Sequence, residues 1–287
     1  MKASTKLKSA LQENKVLYLP GAYDGLSAKI AENEGARAIY ATGGGIARST
    51  GVPDMGLLSL DEIAHRLEQM VDAVEIPIVA DMDTGYGNAL NARRALRAFE
   101  RAGVAGFHIE DQVFPKKCGH YENKSVVAAE EFYSKIRAVR DAVSDEDILL
   151  IARTDALAVH GIDEAINRMH RAIEAGANMV FVEAPTTMAE IEQIAKELPY
   201  PKMLNMFWSG KTPVLDTKQL EALGFDMVIV PSDLQRIAIA AMSRAAREII
   251  NFGHTKELAN QMATFQEREA AINSEFFNEL DKRYSIG

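Results

Sequence analysis

The chain has 287 residues, of which 47% are hydrophobic, and it contains a single cysteine. A chain of this size buries a large core without disulfides, and its cysteine usage suits a reducing compartment, the cytoplasm by default. The formal net charge of −9 disfavours nucleic acid as a partner, because phosphate backbones are bound through surplus lysine and arginine. We also expect no signal peptide and no membrane segment, since no apolar run approaches the length that a bilayer requires.

Eight short runs rich in β-forming residues alternate with stretches of helical periodicity along the chain. Most runs are nearly continuous in aliphatic residues, which is typical of parallel strands buried on both faces. We predict strands at residues 16–20, 38–41, 76–81, 106–110, 148–153, 179–183, 202–206 and 227–230. We predict helices at residues 60–74, 91–103, 128–143, 162–177, 188–198 and 217–224, of which several end in a glycine suited to a left-handed stop.

Eight β/α units within about 250 residues predict an α/β protein with a (β/α)8 TIM barrel, in a single domain spanning residues 1–287. An open doubly wound sheet is the alternative, but no Gly-x-Gly-x-x-Gly motif follows the first strand. Residues 234–287 contain more helix than the eighth unit needs, at 234–252 and 255–283. Extra helix must bury its apolar face, so we predict that this segment packs against another subunit of a homo-oligomer.

Acidic side chains close several of the predicted strands, at the end of the barrel where TIM-barrel active sites are found. Asp81 and Asp83 are two residues apart, so their side chains point the same way, and Glu110 ends the neighbouring strand. Asp54 lies in a nearby loop. Converging carboxylates repel one another unless a cation holds them, and hard oxygen ligands indicate Mg²⁺ or Mn²⁺. Taken singly, each of these residues also fits a helix cap or a solvated turn.

Two further features at the strand ends indicate binding of an anion. The Thr-Gly-Gly-Gly run at 42–45 can present successive backbone N–H groups to a carboxylate or phosphate, although triple glycine is also typical of a tight turn. Arg153 lies on an otherwise apolar strand and needs an anionic partner, either Glu183 or the carboxylate of a substrate. We interpret five histidines as core or surface residues: His65, His108, His160, His170 and His254.

The one cysteine, Cys118, lies in the run Pro-Lys-Lys-Cys-Gly-His at 115–120. Neighbouring cations favour thiolate over thiol, and the adjacent glycine allows a loop to close, so this segment has the composition of an acid/base group delivered onto a substrate. A single cysteine in an intracellular chain is also often an inert, partly buried residue. The acidic residues at strand ends on either side of it favour the catalytic interpretation.

Three motifs carry a family resemblance. Lys-Lys-Cys-Gly-His at 116–120 follows Gly-Phe-His-Ile-Glu-Asp-Gln at 106–112, and Ala-Arg-Thr-Asp-Ala follows at 152–156. On these motifs the sequence resembles the isocitrate lyase/phosphoenolpyruvate mutase superfamily, most closely its short lyase branch of 2-methylisocitrate and 2,3-dimethylmalate lyases. The resemblance covers nearly the whole chain. It implies a barrel whose last helix is exchanged between subunits, a tetramer built as a pair of dimers, and one Mg²⁺ per site.

The resemblance also implies a role for individual residues. The metal shell is implied to be Asp54, Asp81, Asp83 and Glu110, with Asp81 the first candidate for direct contact. The residues implied to bind the 2-oxo acid portion or the second product are Thr42, Gly43, Gly44, Arg153, Glu183, Asn205, Arg236, Gly119 and His120. The implied catalytic residues are Cys118 as general acid, Lys116 and His120 tuning it, Tyr40 handling the alcohol proton, and Arg153.

The implied reaction is cleavage of the C2–C3 bond of a 2-hydroxy acid to pyruvate or glyoxylate and an enediolate, which Cys118 protonates. One stretch departs from the family pattern, because Phe207 and Trp208 are apolar where polar residues meet the extra carboxylate of a tricarboxylate. With Thr212 they would wall a site that suits a methyl group, as in 2,3-dimethylmalate, since an unpaired buried polar group costs about 1–3 kcal/mol. Both lyase substrates remain open.

Three alternatives to a lyase also remain. Phosphorus–carbon chemistry of the same superfamily is disfavoured by the Cys-Gly-His loop, though less so for the carboxyphosphonate variant. Oxaloacetate hydrolysis would use the same loop and metal. A non-catalytic barrel that binds a 2-oxo acid is the alternative from another functional class.

Overall fold

The computed structural model of the protein describes residues 1–13, 15–119, 121 and 123–285. Eight parallel strands form a closed barrel, in which each strand pairs with the next along the chain and β1 closes onto β8. The strands are β1 (Leu17–Ala22), β2 (Ile39–Ala41), β3 (Ile78–Asp81), β4 (Gly106–Glu110), β5 (Leu149–Thr154), β6 (Met179–Val182), β7 (Lys202–Asn205) and β8 (Met227–Val230). The predicted TIM barrel is confirmed, and every strand lies within two residues of its predicted bounds.

Helices surround the barrel and extend beyond it. They are α1 (Ala3–Leu11), α2 (Gly25–Asn33), α3 (Gly43–Ser49), α4 (Leu60–Ala73), α5 (Ala89–Ala102), α6 (Ala129–Arg140), α7 (Leu157–His160), α8 (Ile162–Glu174), α9 (Met188–Glu197), α10 (Thr217–Ala222), α11 (Asp233–Phe252), α12 (Phe265–Ala271) and α13 (Ser274–Tyr284). The six helices predicted between strands are present. Helices α1, α2, α3 and α7 were not predicted, because they are short and α3 begins in a glycine run that has no side-chain periodicity.

Local sequence signals set the helix ends. Ser59 caps α4, and Glu62 closes the reciprocal capping box. Helix α5 ends at Gly103, whose φ of 87° is the left-handed stop predicted from the sequence. Gly224, after α10, is also left-handed, with a φ of 70°.

The hydrophobic core has two parts. One cluster packs the helices onto the outside of the barrel, and the other fills the barrel interior with side chains such as Leu19, Val79 and Phe181. Leu7 of α1 belongs to the interior cluster. The Ser4 hydroxyl donates to Asp145 at 2.8 Å. Helix α1 therefore closes the N-terminal end of the barrel, which leaves the C-terminal end for the polar residues.

Strand register places the predicted polar residues side by side. Asp81 on β3 lies opposite His108 on β4, and Glu110 on β4 lies opposite Arg153 on β5. These positions form the C-terminal end of neighbouring strands. The register therefore brings three of the predicted site residues to one mouth of the barrel.

The C-terminal segment is helical, as predicted, but it is more broken than the sequence pattern indicated. In place of one helix over 255–283, a 3₁₀ helix at Lys256–Gln261 precedes α12 and α13. Thr264 caps α12, and Asn273 adopts a left-handed conformation before α13, so the helix is interrupted twice. Gln235 is the only buried residue of α11. In the described part of the chain, no helix has the length and apolar character needed to cross a membrane.

Candidate active site

A cavity of about 320 Å³ lies at the C-terminal mouth of the barrel. Its walls come from the ends of several strands, the loop after β4 and the start of α11. The predicted residues that line it are Tyr40, Thr42, Gly44, Asp54, Asp81, Lys116, Cys118, Gly119, Arg153, Glu183, Asn205, Phe207 and Arg236. The structure therefore brings the predicted catalytic and anion-binding residues together, with the cysteine among them.

Lys116 lies in the middle of the acidic group. Its ammonium is 2.5 Å from Asp54 Oδ1 and 2.8 Å from Asp83 Oδ1, and its side chain is almost fully buried. Burial opposes its charge, yet the surrounding carboxylates raise the pKa of Lys116 well above its usual value. Burial raises the pKa of Asp83 to about 7. Asp54 and Asp83 are thus both paired with the Lys116 ammonium, and their role in a metal shell stays a prediction.

Asp81, His108 and Glu110 form a second buried group, in which one possible ligand atom from each residue lies within 4.8 Å of the others. Neither carboxylate oxygen of Glu110 accepts a hydrogen bond from the described residues, although Arg153 Nη1 is 3.0 Å from Oε2. Burial raises the pKa of Glu110 well above its usual value. An additional cation would remove this penalty. The donor set fits a hard divalent ion at Asp81 and Glu110.

His108 is buried, as predicted for a core histidine, but it belongs to the site. Its Nε2 is 2.7 Å from the Tyr40 hydroxyl, which also donates to Asp81 Oδ2 at 3.4 Å. Burial lowers the pKa of His108 to about 4, so the ring is neutral near pH 7 and can exchange a proton with Tyr40. The sequence carried a signal for this residue, because His108 is two positions before Glu110 on one strand and shares its face.

Arg153 is held by three acidic side chains. Its Nε is 3.0 Å from Asp155 Oδ2 and 3.8 Å from Glu183 Oε2, and its Nη1 contacts Glu110. Asn205 Nδ2 donates to Glu183 Oε1 at 3.2 Å. The sequence predicted that Arg153 pairs either with Glu183 or with the carboxylate of a substrate. Asp155 is nearer than Glu183, and Arg153 also lines the cavity, so it can meet an anionic ligand.

The glycine run at 43–45 lets the backbone approach the acidic group. It forms the first turn of α3, and the Thr42 hydroxyl accepts a hydrogen bond from Gly45 N at 3.3 Å. A Cβ on Gly43 would lie 2.8 Å from Asp81 Oδ2, and one on Gly44 would lie 2.8 Å from Arg48 Nη1. A side chain at position 43 would displace the buried Asp81 carboxylate, whereas one at position 44 would displace the end of the Arg48 side chain.

Some predicted residues lie elsewhere. Trp208 is 74% exposed and does not line the cavity, because it follows Phe207 in a turn that points away from it, so its prediction as an apolar wall is wrong. Thr212 is buried, but outside the cavity lining. Arg236 donates to the Trp208 carbonyl at 2.6 Å, which fixes this turn. The prediction for His120 lies outside the described residues.

Besides His108, the site residues that the sequence reasoning missed include Arg48, Gln235, Asp155 and Lys124. Arg48 and Gln235 line the cavity, and Gln235 Nε2 donates to the Gly45 carbonyl at 2.9 Å. Asp155 and Lys124 form an ion pair of 2.5 Å behind Arg153. Only Asp155 had a signal in the sequence, since it follows Arg153 at the end of a strand.

A closed parallel barrel with a buried, charged cavity at the C-terminal strand ends defines a TIM-barrel enzyme. The family model for phosphoenolpyruvate phosphomutase matches residues 7–250. The chain belongs to the phosphoenolpyruvate mutase/isocitrate lyase superfamily. It is an enzyme of this superfamily and is similar to its lyases.

Two curated relatives match almost all of the chain. The 2,3-dimethylmalate lyase of Eubacterium barkeri is 38% identical, and the match covers the full length of both proteins. The 2-methylisocitrate lyase of Vibrio cholerae is 36% identical over 98% of this chain and 94% of its own. The sequence therefore has both lyase types among its relatives at nearly equal identity.

Solved structures agree in fold across several activities. A 2,3-dimethylmalate lyase superposes with a TM-score of 0.92 at 34% identity, covering 99% of this chain and 95% of its own. An oxaloacetate acetylhydrolase bound to 3,3-difluorooxalacetate also gives a TM-score of 0.92, at 31% identity and coverages of 98% and 96%. A phosphonopyruvate hydrolase with oxalate and Mg²⁺ superposes with a TM-score of 0.90 at 30% identity, and the match covers 99% of both chains.

Proposed function

We propose that the protein is a carbon–carbon lyase that cleaves a 2-hydroxy di- or tricarboxylate to pyruvate and a second carboxylate. The observation that carries this proposal is that Cys118 lines the same cavity as Tyr40 and Arg153, so an acid, a base and an anion-binding group face one small volume. The lyases among its relatives support the proposal.

A divalent cation, Mg²⁺ or Mn²⁺, is part of the proposal. Asp81 and Glu110 would hold it, which fits the two oxygens of Glu110 that lack a hydrogen bond from the described residues. When bound, such a cation lowers the pKa of a substrate hydroxyl and polarises a developing ketone. A related phosphonopyruvate hydrolase contains Mg²⁺ with oxalate, which supports this choice.

The side chains account for the proton and charge changes of the cleavage. Tyr40 would take the proton of the C2 hydroxyl while its own phenolic proton passes to Nε2 of the neutral His108 ring, and Arg153 would bind the adjacent carboxylate. As the C2–C3 bond breaks, its electron pair would pass to the second fragment as an enediolate. The Cys118 thiol would then give its proton to C3, which completes the second carboxylate product.

The second fragment would contact both apolar and basic side chains of the cavity. Phe207 is an apolar lining residue that suits a methyl group, whereas Arg48 and Arg236 suit a second carboxylate. A substrate of the 2,3-dimethylmalate type uses both, with propionate as second product. A substrate of the 2-methylisocitrate type would place its additional carboxylate near the arginines, with succinate as second product.

We propose further that the chain works as a homotetramer, a pair of dimers that exchange their C-terminal helices. The observation behind this is the exposed apolar surface of the segment, in which Ile237 is 68%, Ile250 81% and Phe277 63% exposed. Single exposed apolar residues are ordinary, but a set of this size on consecutive helices needs a partner. Light scattering coupled to size exclusion tests the proposal, and a monomer at micromolar concentration would refute it.

The function is tested by profiling substrates with metal removed and restored. Purified protein is incubated with 2,3-dimethylmalate, 2-methylisocitrate, oxaloacetate or phosphonopyruvate, and products are followed by NMR. We expect pyruvate from one of the first two and a loss of at least about 100-fold in kcat for Cys118→Ser, the scale of general acid catalysis. Oxalate and acetate from oxaloacetate as the main reaction would instead identify a hydrolase, and binding without turnover of any compound would refute catalysis.

A further inference from the structure

Lys124 connects the segment of Cys118 to the buried ion pairs of the site, and the proposed reaction so far gives it no role. Its ammonium donates to the Gly119 carbonyl at 2.6 Å and to Asp155 Oδ1 at 2.5 Å. Its side chain is only 2% exposed. Lysine is almost never buried to this extent unless it is paired, and both of these bonds are of the stronger, charge-assisted kind. The ammonium is therefore held between these two acceptors.

Gly119 is in close contact with the anion-binding residues on its other side. A Cβ on Gly119 would collide with Glu183 and would lie 2.6 Å from Arg153 Nη2. Asp155, the second partner of Lys124, also accepts hydrogen bonds from Arg153 Nε at 3.0 Å and Nη2 at 3.3 Å. One carboxylate is thus shared between Lys124 and Arg153, and the residue after Cys118 lies directly against this pair.

We infer that Lys124 is a positioning residue that holds the Cys118 segment over the cavity by fastening the Gly119 carbonyl to the Asp155–Arg153 pair. The inference deepens the proposed function and rests on it for its catalytic consequence. Because Asp155 orients Arg153 as well, the guanidinium and the thiol would be fixed relative to each other. Without the ammonium, the Gly119 carbonyl would lose this bond, while the bond from Cys118 N to the Asp54 carbonyl at 3.2 Å would remain, so the thiol would be held less tightly.

The test uses the fact that the sequence has one cysteine, so alkylation reports on Cys118 alone. Iodoacetamide labelling of the ligand-free protein is followed by intact mass at pH 7.5 for the wild type and Lys124→Met. We expect labelling to be at least fivefold faster in the variant. Loss of a positive charge disfavours the reactive thiolate and would slow labelling, so faster labelling must come from greater access.

Two further variants serve as controls. Lys196→Met removes one positive charge from an exposed position on α9 and should label at the wild-type rate. Lys124→Arg keeps a cation in reach of Asp155 and should restore slow labelling at least in part. If Lys124→Met is not recovered folded, Lys124→Ala replaces it, since a methyl group cannot donate to Gly119 and leaves room for water beside Asp155. Labelling of Lys124→Met or Lys124→Ala at the wild-type rate would overturn the inference.

Turnover provides a second, separate readout. With the substrate that the profile identifies, Lys124→Met should lower kcat at least tenfold and change KM less than threefold. The assay is run well below the melting temperature of the variant, which should fall by about 5 °C because the buried pair with Asp155 is broken. Labelling needs no turnover, so it judges the role of Lys124 even when no tested compound is cleaved. A faster-labelling variant in a protein without lyase activity would support the positioning role and refute the proposed function.

Discussion

The buried pair of Asp111 and Arg168 supports the strand end that carries Arg153. Asp111 is fully buried and accepts hydrogen bonds from the Thr154 hydroxyl at 2.6 Å, from Asp155 N at 2.8 Å and from Arg168 Nη1 at 2.9 Å. In Asp111→Asn the amide oxygen can still accept from Asp155 N, but the NH₂ group then faces the Arg168 donor. We predict that this substitution destabilises the protein strongly.

The magnitude follows from what remains around Arg168. Breaking a buried ion pair costs about 3–5 kcal/mol, and Arg168 keeps Glu164 at 2.8 Å and the Val127 carbonyl at 3.0 Å, so the lower end, about 3 kcal/mol, applies. For a chain of this length, that loss lowers the melting temperature by about 5 °C. Arg168→Met should cost about as much, because it leaves the Asp111 carboxylate buried without its cation.

A double-mutant cycle measures the interaction, by urea unfolding at one fixed protein concentration. The double variant Asp111→Asn/Arg168→Met should lose about 3–4 kcal/mol in total, well short of the sum of the single losses, because each change already breaks the same pair. The matched control is Arg171→Met on the same helix, whose ion pair with Glu174 is exposed and should be worth less than about 1 kcal/mol. Additive losses, or a cost for Arg168→Met no larger than for Arg171→Met, would refute the reasoning.

Three further predictions concern the cavity. Tyr40→Phe removes the hydroxyl that lies 2.7 Å from His108 Nε2. We expect kcat to fall at least about 100-fold with little change in melting temperature. A kcat within threefold of wild type would exclude Tyr40 as the base. Gly44→Ala would place a Cβ 2.8 Å from Arg48 Nη1 and 2.9 Å from Asp54 Oδ2. We expect KM to rise at least tenfold in steady-state assays. An unchanged KM would argue against a tight fit of the substrate at Gly44. Chelation by EDTA should abolish turnover and added Mg²⁺ or Mn²⁺ should restore it, with the metal content measured in parallel; turnover by protein shown to be metal-free would contradict this.

The barrel could be predicted closely from the sequence because buried parallel strands have a strong local signature. The run Gly-Phe-His-Ile-Glu at 106–110 is a mostly apolar strand that ends in an acidic residue, and the structure gives β4 the same bounds. The convergence of Asp81 and Glu110 followed from strand order alone. Helix α3 was missed because its first turn is glycine, which carries no periodic pattern.

The positions of loop residues could not be predicted in the same way. Lys116 lies between Asp54 and Asp83 because the loop after β4 folds back over the mouth, and no spacing rule encodes such a return. Trp208 was expected in the cavity from its apolar side chain, but the turn after β7 points it outward, where it is 74% exposed. Sequence position indicated which side chains converge at the strand ends, where the register fixes the geometry, but it did not indicate where side chains in turns would point.

Helix α11 has one end in the cavity and the other outside the barrel. Its first turn carries Gln235, which holds the Gly45 carbonyl at 2.9 Å, while Ile249 and Phe252 in its last turn are 54% and 63% exposed. The two ends are joined by one continuous helix of 20 residues. If neighbouring copies cover the outer end, then dilution that separates the copies would also weaken the contact between Gln235 and the Gly45 carbonyl at the inner end. Specific activity measured at nanomolar enzyme would then decline with the same concentration midpoint as subunit dissociation.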